Sequence, residues 1–99
     1  MIEEEAISIV QRLLLGQDSI PVKVRAGVQY SDAEVYELKS ALHVLIGLYR
    51  DKSFVPKVVA LSFVNISAVL QSRFYDAAQQ QRLEDLGADL EYLAEELFS

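Results

Sequence analysis

The chain contains no cysteine. That excludes a disulfide scaffold, a zinc-thiolate site and a cysteine nucleophile. Tryptophan is also absent, and there is a single histidine. Only four glycines and two prolines occur among 99 residues, too few for a loop-rich or low-complexity chain. Positive charge is scarce: nine Lys and Arg stand against fifteen Asp and Glu, for a net charge of −6. Binding to nucleic-acid phosphate draws its affinity mainly from Lys and Arg, so no nucleic-acid partner is expected. Long apolar runs are missing too. The longest, Val58 to Leu70, is interrupted by Ser62, Asn65 and Ser67 and falls short of the roughly 20 residues that span a bilayer. The opening Met1-Ile2-Glu3-Glu4-Glu5 is acidic, unlike the basic start of a secretory signal. These features give the expectation of a single soluble, cytoplasmic domain over residues 1–99 with no membrane partner.

What is present is helical periodicity. In a first segment, Ile2, Ala6, Ile9, Val10, Leu13 and Leu14 recur at the spacing of one helix face, with Glu3 to Glu5 in the first turn, where the helix dipole favours acids. Gly16 follows as the expected left-handed C-terminal cap. Residues 16–30 form a long connection. Within it Ile20-Pro21-Val22-Lys23-Val24-Arg25 alternates like a short edge strand, and the segment reads as an extended strand, an apolar cover or a contact site.

Ser31 with Glu34 makes a capping box, and the helix it starts is expected to run to about Arg50. Val35, Leu38, Leu42, Leu45 and Tyr49 form its seam, and Ala41, Val44 and Leu48 widen the apolar arc. So broad an apolar face marks a central helix. Pro56 suits the first turn of another helix, seamed by Val59, Phe63, Ile66 and Leu70 and expected to be the most buried, with Asn65 inside it in need of partners. Asp76 is the expected N-cap of a last helix reaching Phe98, with Leu83, Leu86, Leu90, Leu93 and Leu97 as its seam and Gly87 marking close packing or a bend. The expected fold is all-α: a small antiparallel four-helix bundle with a long first connection that includes a short extended segment.

Catalytic and metal-binding patterns are scarce. The lone His43 lacks a carboxylate at helical spacing, because Lys39, Ser40, Ile46 and Gly47 occupy those positions. No metal site or cofactor is expected. Neither a G-x-S-x-G turn, a Ser-x-x-Lys pair nor a phosphate-binding glycine loop occurs, so no enzyme is expected. His43 itself falls roughly 130° from the seam of its helix, beside Tyr36, Lys39, Ser40, Gly47 and Arg50. The run His43-Val44-Leu45-Ile46-Gly47 resembles the H-x-L-K-G pattern of histidine phosphotransfer domains, with Ile46 in place of the lysine. That resemblance spans five residues and implies phosphotransfer through an exposed His43, with Lys39 as the substitute cation.

The last helix carries the sharper pattern. Opposite its leucines lie Glu84, Asp85, Asp89, Glu91, Glu95 and Glu96, with Tyr92 in their midst. Glu95 and Glu96 occupy the last turn, where the dipole prefers cations, and Asp85–Asp89 and Glu91–Glu95 repel at four-residue spacing. An aromatic anchor ringed by steering charges has the makeup of a protein-binding patch. A solvated acidic face is the alternative, as is neutralisation from within by Lys23 or Arg25.

The expected function is therefore a non-catalytic binding protein that docks on a basic partner protein through Glu84, Asp85, Asp89, Glu91, Tyr92, Glu95 and Glu96. Its physics is analogous to that of an immunity protein or antitoxin covering the basic groove of a nuclease toxin. The alternatives are a homodimer that buries the surplus apolar arcs, and phosphotransfer through His43.

Overall fold

The computed structural model describes residues 1–64, 66 and 70–99. Among them are five helices: α1 Glu3–Leu14, α2 Ile20–Ala26, α3 Asp32–Tyr49, α4 Lys57–Leu61 and α5 Ala77–Phe98. No strand occurs among the described residues. The expectation of a small helical bundle holds, and the extended segment is replaced by α2. The alternation Ile20, Val22, Val24 suggested a strand, but Ser19 ends the preceding turn and accepts a hydrogen bond from the Val22 N–H. Pro21 then sits in the first helical turn, where its missing N–H leaves nothing unpaired. Ile20, Pro21 and Val24 face inward, while Val22 is exposed.

The left-handed cap also lies elsewhere than expected. Gly27, at φ +74°, ends α2, and the Phe74 side chain packs where a Cβ would stand. Gly16 does not adopt positive φ; instead the Arg12 carbonyl oxygen would lie 2.7 Å from a Cβ there, so the residue serves close backbone approach. Ile2, expected on the buried face of α1, is exposed at its N-cap, and Ala6, Val10, Leu13 and Leu14 carry the packing.

α3 is the central helix, packed on α1 along one flank and on α5 along another. Leu38, Ala41, Leu42 and Leu45 are fully buried. Each such leucine contributes on the order of 1.5–3 kcal/mol through removal from water. Two contacts set the direction of α1. Arg12 near its end pairs with Glu37 near the start of α3 at 2.7 Å, and Glu3 at its start lies beside Tyr49 at the end of α3. The two helices are antiparallel.

α5 runs in the same direction as α3. Arg82 pairs with Asp32 at 2.7 Å and Lys39 with Asp89 at 2.7 Å, and both pairs are separated by 50 positions in sequence. A constant offset means that α3 and α5 are parallel. The start of the pair is fastened further by the Tyr75 hydroxyl, which donates to the Val28 carbonyl at 2.8 Å, and by the Arg82 guanidinium 5.7 Å from the Tyr30 ring centre. At the far end Ile46 and Arg50 border the same recess as Glu96 and Ser99.

Residues 50–76 therefore form a crossover rather than a tight turn. Phe63 meets Phe98 edge to face with ring centres 5.7 Å apart, Leu70 lies against Gly87, and Phe74 against Gly27, so this segment returns along α5 toward its start. Within the expected helix of residues 56–70, Lys57–Leu61 is helical, residues 62–64 form a turn, and Ile66 is again helical. Its valines are stiff, β-branched and weak helix formers, and Ser62 bends its hydroxyl back to the Val58 carbonyl at 2.8 Å. Nor is it the most buried element: Val59, Ile66 and Leu70 are buried, but Leu61 and Val64 are exposed. The expectation for Asn65 lies outside the described residues.

The capping box of α3 is complete. Glu34 takes the Ser31 N–H at 3.0 Å and the Lys23 ammonium of α2 at 2.7 Å, and Ser31 takes the Glu34 N–H at 3.1 Å. Burial pushes the Glu34 carboxyl up, but the hydrogen bond from Lys23, those from Ser31 and the Lys23 charge outweigh it and leave the pKa below its ordinary 4.5. A lowered folded pKa gives stabilisation that is complete above the unfolded value and lost as pH falls through the folded one. Glu34→Ala is expected to destabilise by about 1–2 kcal/mol at neutral pH. Thermal melts of both proteins should show that deficit shrinking as the pH drops through the lowered Glu34 pKa.

Candidate partner-binding face

The 22 residues of α5 present two unlike faces. Asp76 caps the start, accepting the Gln79 N–H at 2.8 Å while the Gln79 side chain accepts the Asp76 N–H at 2.8 Å. From there Leu83, Leu86, Leu90, Leu93 and Leu97 are all buried, as the seam requires. Gly87 sits within that stripe with the Leu70 side chain 3.9 Å from where a Cβ would be. A side chain there would make only ordinary van der Waals contact, so close packing, one of the two readings of this glycine, does not require it.

With the leucines turned inward, Glu84, Asp85, Asp89, Glu91, Tyr92, Glu95 and Glu96 are all exposed. Tyr92 is 62% exposed, far more than a packing residue. The adjoining Glu96 carboxylate raises its pKa above 10.0, first by attracting the hydroxyl proton and then by its charge, with slight burial and Glu95 adding to the shift. The phenol therefore remains neutral and able to donate at neutral pH.

The rest of the molecule neutralises this face only in part. Lys39 of α3 engages Asp89 at 2.7 Å, and Gln81 donates to Asp85 at 3.0 Å. Among the described residues no cation pairs with Glu84, Asp85, Glu95 or Glu96. The two cations expected as internal neutralisers are placed otherwise. Lys23 is bound to Glu34, and Arg25 lines a groove of about 930 Å³ that borders Glu84 and Glu91. Across that groove Arg73 stacks over Phe74 at 5.1 Å. Position Lys39 was missed as a partner of Asp89. The parallel register was the signal needed to find it, and periodicity within one helix does not contain that information.

His43 is exposed on α3, and open space surrounds the Gly47 Cα one turn on. The cation at four residues' spacing, Lys39, is held by Asp89. Among the described residues no group of three or more His, Asp or Glu is arranged to hold a metal ion. No described helix is long and apolar enough to cross a membrane. No protein-family model, curated protein sequence or solved structure matches the chain.

If Glu96 is what raises the Tyr92 pKa, Glu96→Gln should bring it back toward 10.0. The ring-carbon shifts of Tyr92, followed by NMR across alkaline pH, measure this directly. An unchanged titration would mean that the two side chains do not meet.

Proposed function

We propose that the chain is a non-catalytic binding protein that docks on a basic surface of another protein through the outward face of α5. The observation that supports it most is the exposed Tyr92 beside Glu95 and Glu96, neither of which pairs with a cation among the described residues. Buried aromatic anchors supply most of the energy of a protein interface, while surrounding charges set the approach and the choice of partner. The helix retains like charges at four-residue spacing and acids in its last turn, both locally unfavourable. Such local conflicts concentrate where function requires them. An inhibitor of the immunity or antitoxin kind, covering the cationic substrate groove of a nucleic-acid-cleaving enzyme, fits this chemistry: an acidic face can stand in for the phosphates of the substrate.

Self-association is a second reading. Phe54, Leu61, Val64 and Phe74 are exposed large apolar residues, and a two-fold contact would cover some of them. A mass by light scattering that does not change with concentration rejects it.

The test of the main reading is capture of partners by the immobilised chain at low and high salt, followed by binding of the captured protein to variants. One basic protein should be retained at low salt and weakened at high salt, since screening shortens the reach of exposed charges to about 10 Å at 0.1 M. Tyr92→Ala should weaken that complex by on the order of 30-fold, the loss expected of an interface hot spot. Glu95→Lys should mainly slow association. Binding unaffected by both substitutions removes α5 as the docking face.

A further inference from the structure

One face of the molecule lies where α1 begins, α3 ends and the 52–56 turn passes between them. It carries Phe54, at 84% the most exposed of the chain's described large apolar side chains. Leu48, expected within the packed arc of α3, is 43% exposed and turned to this face instead. Leu48 and Phe54 border an open recess of about 610 Å³, and Val55 and Pro56 continue its apolar wall. An aromatic knob thus stands beside a hollow of matching chemistry on the same face. Exposed apolar groups gathered in this way mark contact surfaces, whereas scattered ones do not.

The charges at this face are of both signs and are not paired within the chain. Glu3 and Lys52 line the same recess, yet no ion pair joins them, and among the described residues neither pairs with any other charge. Elsewhere Arg12, Lys23, Lys39 and Arg82 each hold an acid at 2.7 Å. Glu3 stays on the α1 side of the hollow, beside the Tyr49 hydroxyl, while Lys52 belongs to the turn. A two-fold axis through the recess would convert this separated acid and base into two pairs, Glu3 of each copy against Lys52 of the other. A face of one charge sign repels its own copy. One that holds both signs, a knob and a hollow is its own complement, as a two-fold contact requires.

We propose that a second copy of this chain covers the face, in a two-fold dimer where Phe54 of each copy enters the recess of the other and Glu3 pairs with Lys52 across the contact. The proposal rests on the self-association reading above and adds its face, its residues and its closed stoichiometry. A contact built on so few residues belongs to the small, reversible class. No residue of α5 lines the recess, so the dimer does not depend on the acidic face.

The experiment uses the full chain and light scattering from micromolar to millimolar concentration. The wild-type mass should rise from 11.1 kDa toward twice that value and stop there. Phe54→Asp should weaken the dimer by about tenfold or more, as expected for the central anchor of a contact. Lys52→Glu and Glu3→Lys each set like charges against one another twice, and each should weaken it by about tenfold. Mixed in equal amounts, these two charge variants should associate as the wild type does, because each supplies the charge that the other lacks. Restoration by mixing also requires that both variants are folded. A wild-type mass that stays constant rejects self-association and the proposal with it. A wild-type dimer that survives Phe54→Asp or either charge reversal unweakened keeps self-association and overturns this face as its site. Weakened variants that mixing does not restore overturn the proposal, and so does a mass that grows beyond two copies.

Discussion

α3 lies between α1, running against it, and α5, running with it, and its buried leucines are shared by both interfaces. A parallel neighbour imposes a requirement that an antiparallel one does not: the chain must travel back the full length of the helix before the next one begins. Residues 50–76 make that return. Of their described residues, Lys57–Leu61 form α4, which packs on α1, while Phe63 and Leu70 lie against α5 and Phe74 against Gly27 at the end of α2. The register is held where the two helices' charges alternate in step, Asp32 with Arg82 and Lys39 with Asp89. Exposed ion pairs of this kind contribute little stability, about 0–1 kcal/mol each, so their role is alignment while the leucines supply the cohesion.

The same packing determines what the surface offers. Once five leucines of α5 face α3 and the crossover, every remaining acid of that helix and Tyr92 must point outward. Two of the cations that could neutralise the face are engaged elsewhere. Arg82 is paired to Asp32 and Lys23 to Glu34, leaving Lys39 to engage Asp89. At the other end, the antiparallel α1 brings Glu3 next to Tyr49 and opens the cleft before Pro56.

Much of this was legible in the residues. The seams of α1, α3 and α5, the capping boxes at Ser31 and Asp76 and the outward placement of His43 follow from three- and four-residue spacing and cap chemistry, which are local. The acidic face was legible for the same reason, since a helix with one leucine stripe has one possible opposite side. Residues 20–26 were misread because a short run with alternating valines satisfies both periods, and Ser19, the cap that decides for helix, sits one residue outside the run. The burial of 56–64 was overestimated because hydrophobicity reports affinity for a core and not whether the chain is positioned to reach one. The direction of α5 and the Lys39–Asp89 pair depend on long-range geometry, to which periodicity is blind. Tyr49 was identified as a seam residue, correctly, but nothing in its spacing announces that Glu3 of α1 lies beside its hydroxyl.

The parallel pairing of α3 and α5 can be measured directly. The chain has no native cysteine, so paired spin labels can be placed without background. Two samples suffice: Tyr36→Cys with Asp85→Cys, and Tyr36→Cys with Glu96→Cys, all at exposed positions. At about 1.5 Å of rise per residue, the second α5 position lies roughly 16 Å further along the axis. A parallel register makes the 36–85 distance the shorter of the two. If 36–96 proves shorter, α5 runs against α3, the ion pairs at Asp32 and Lys39 do not form, and the assignment of the acidic face falls with them.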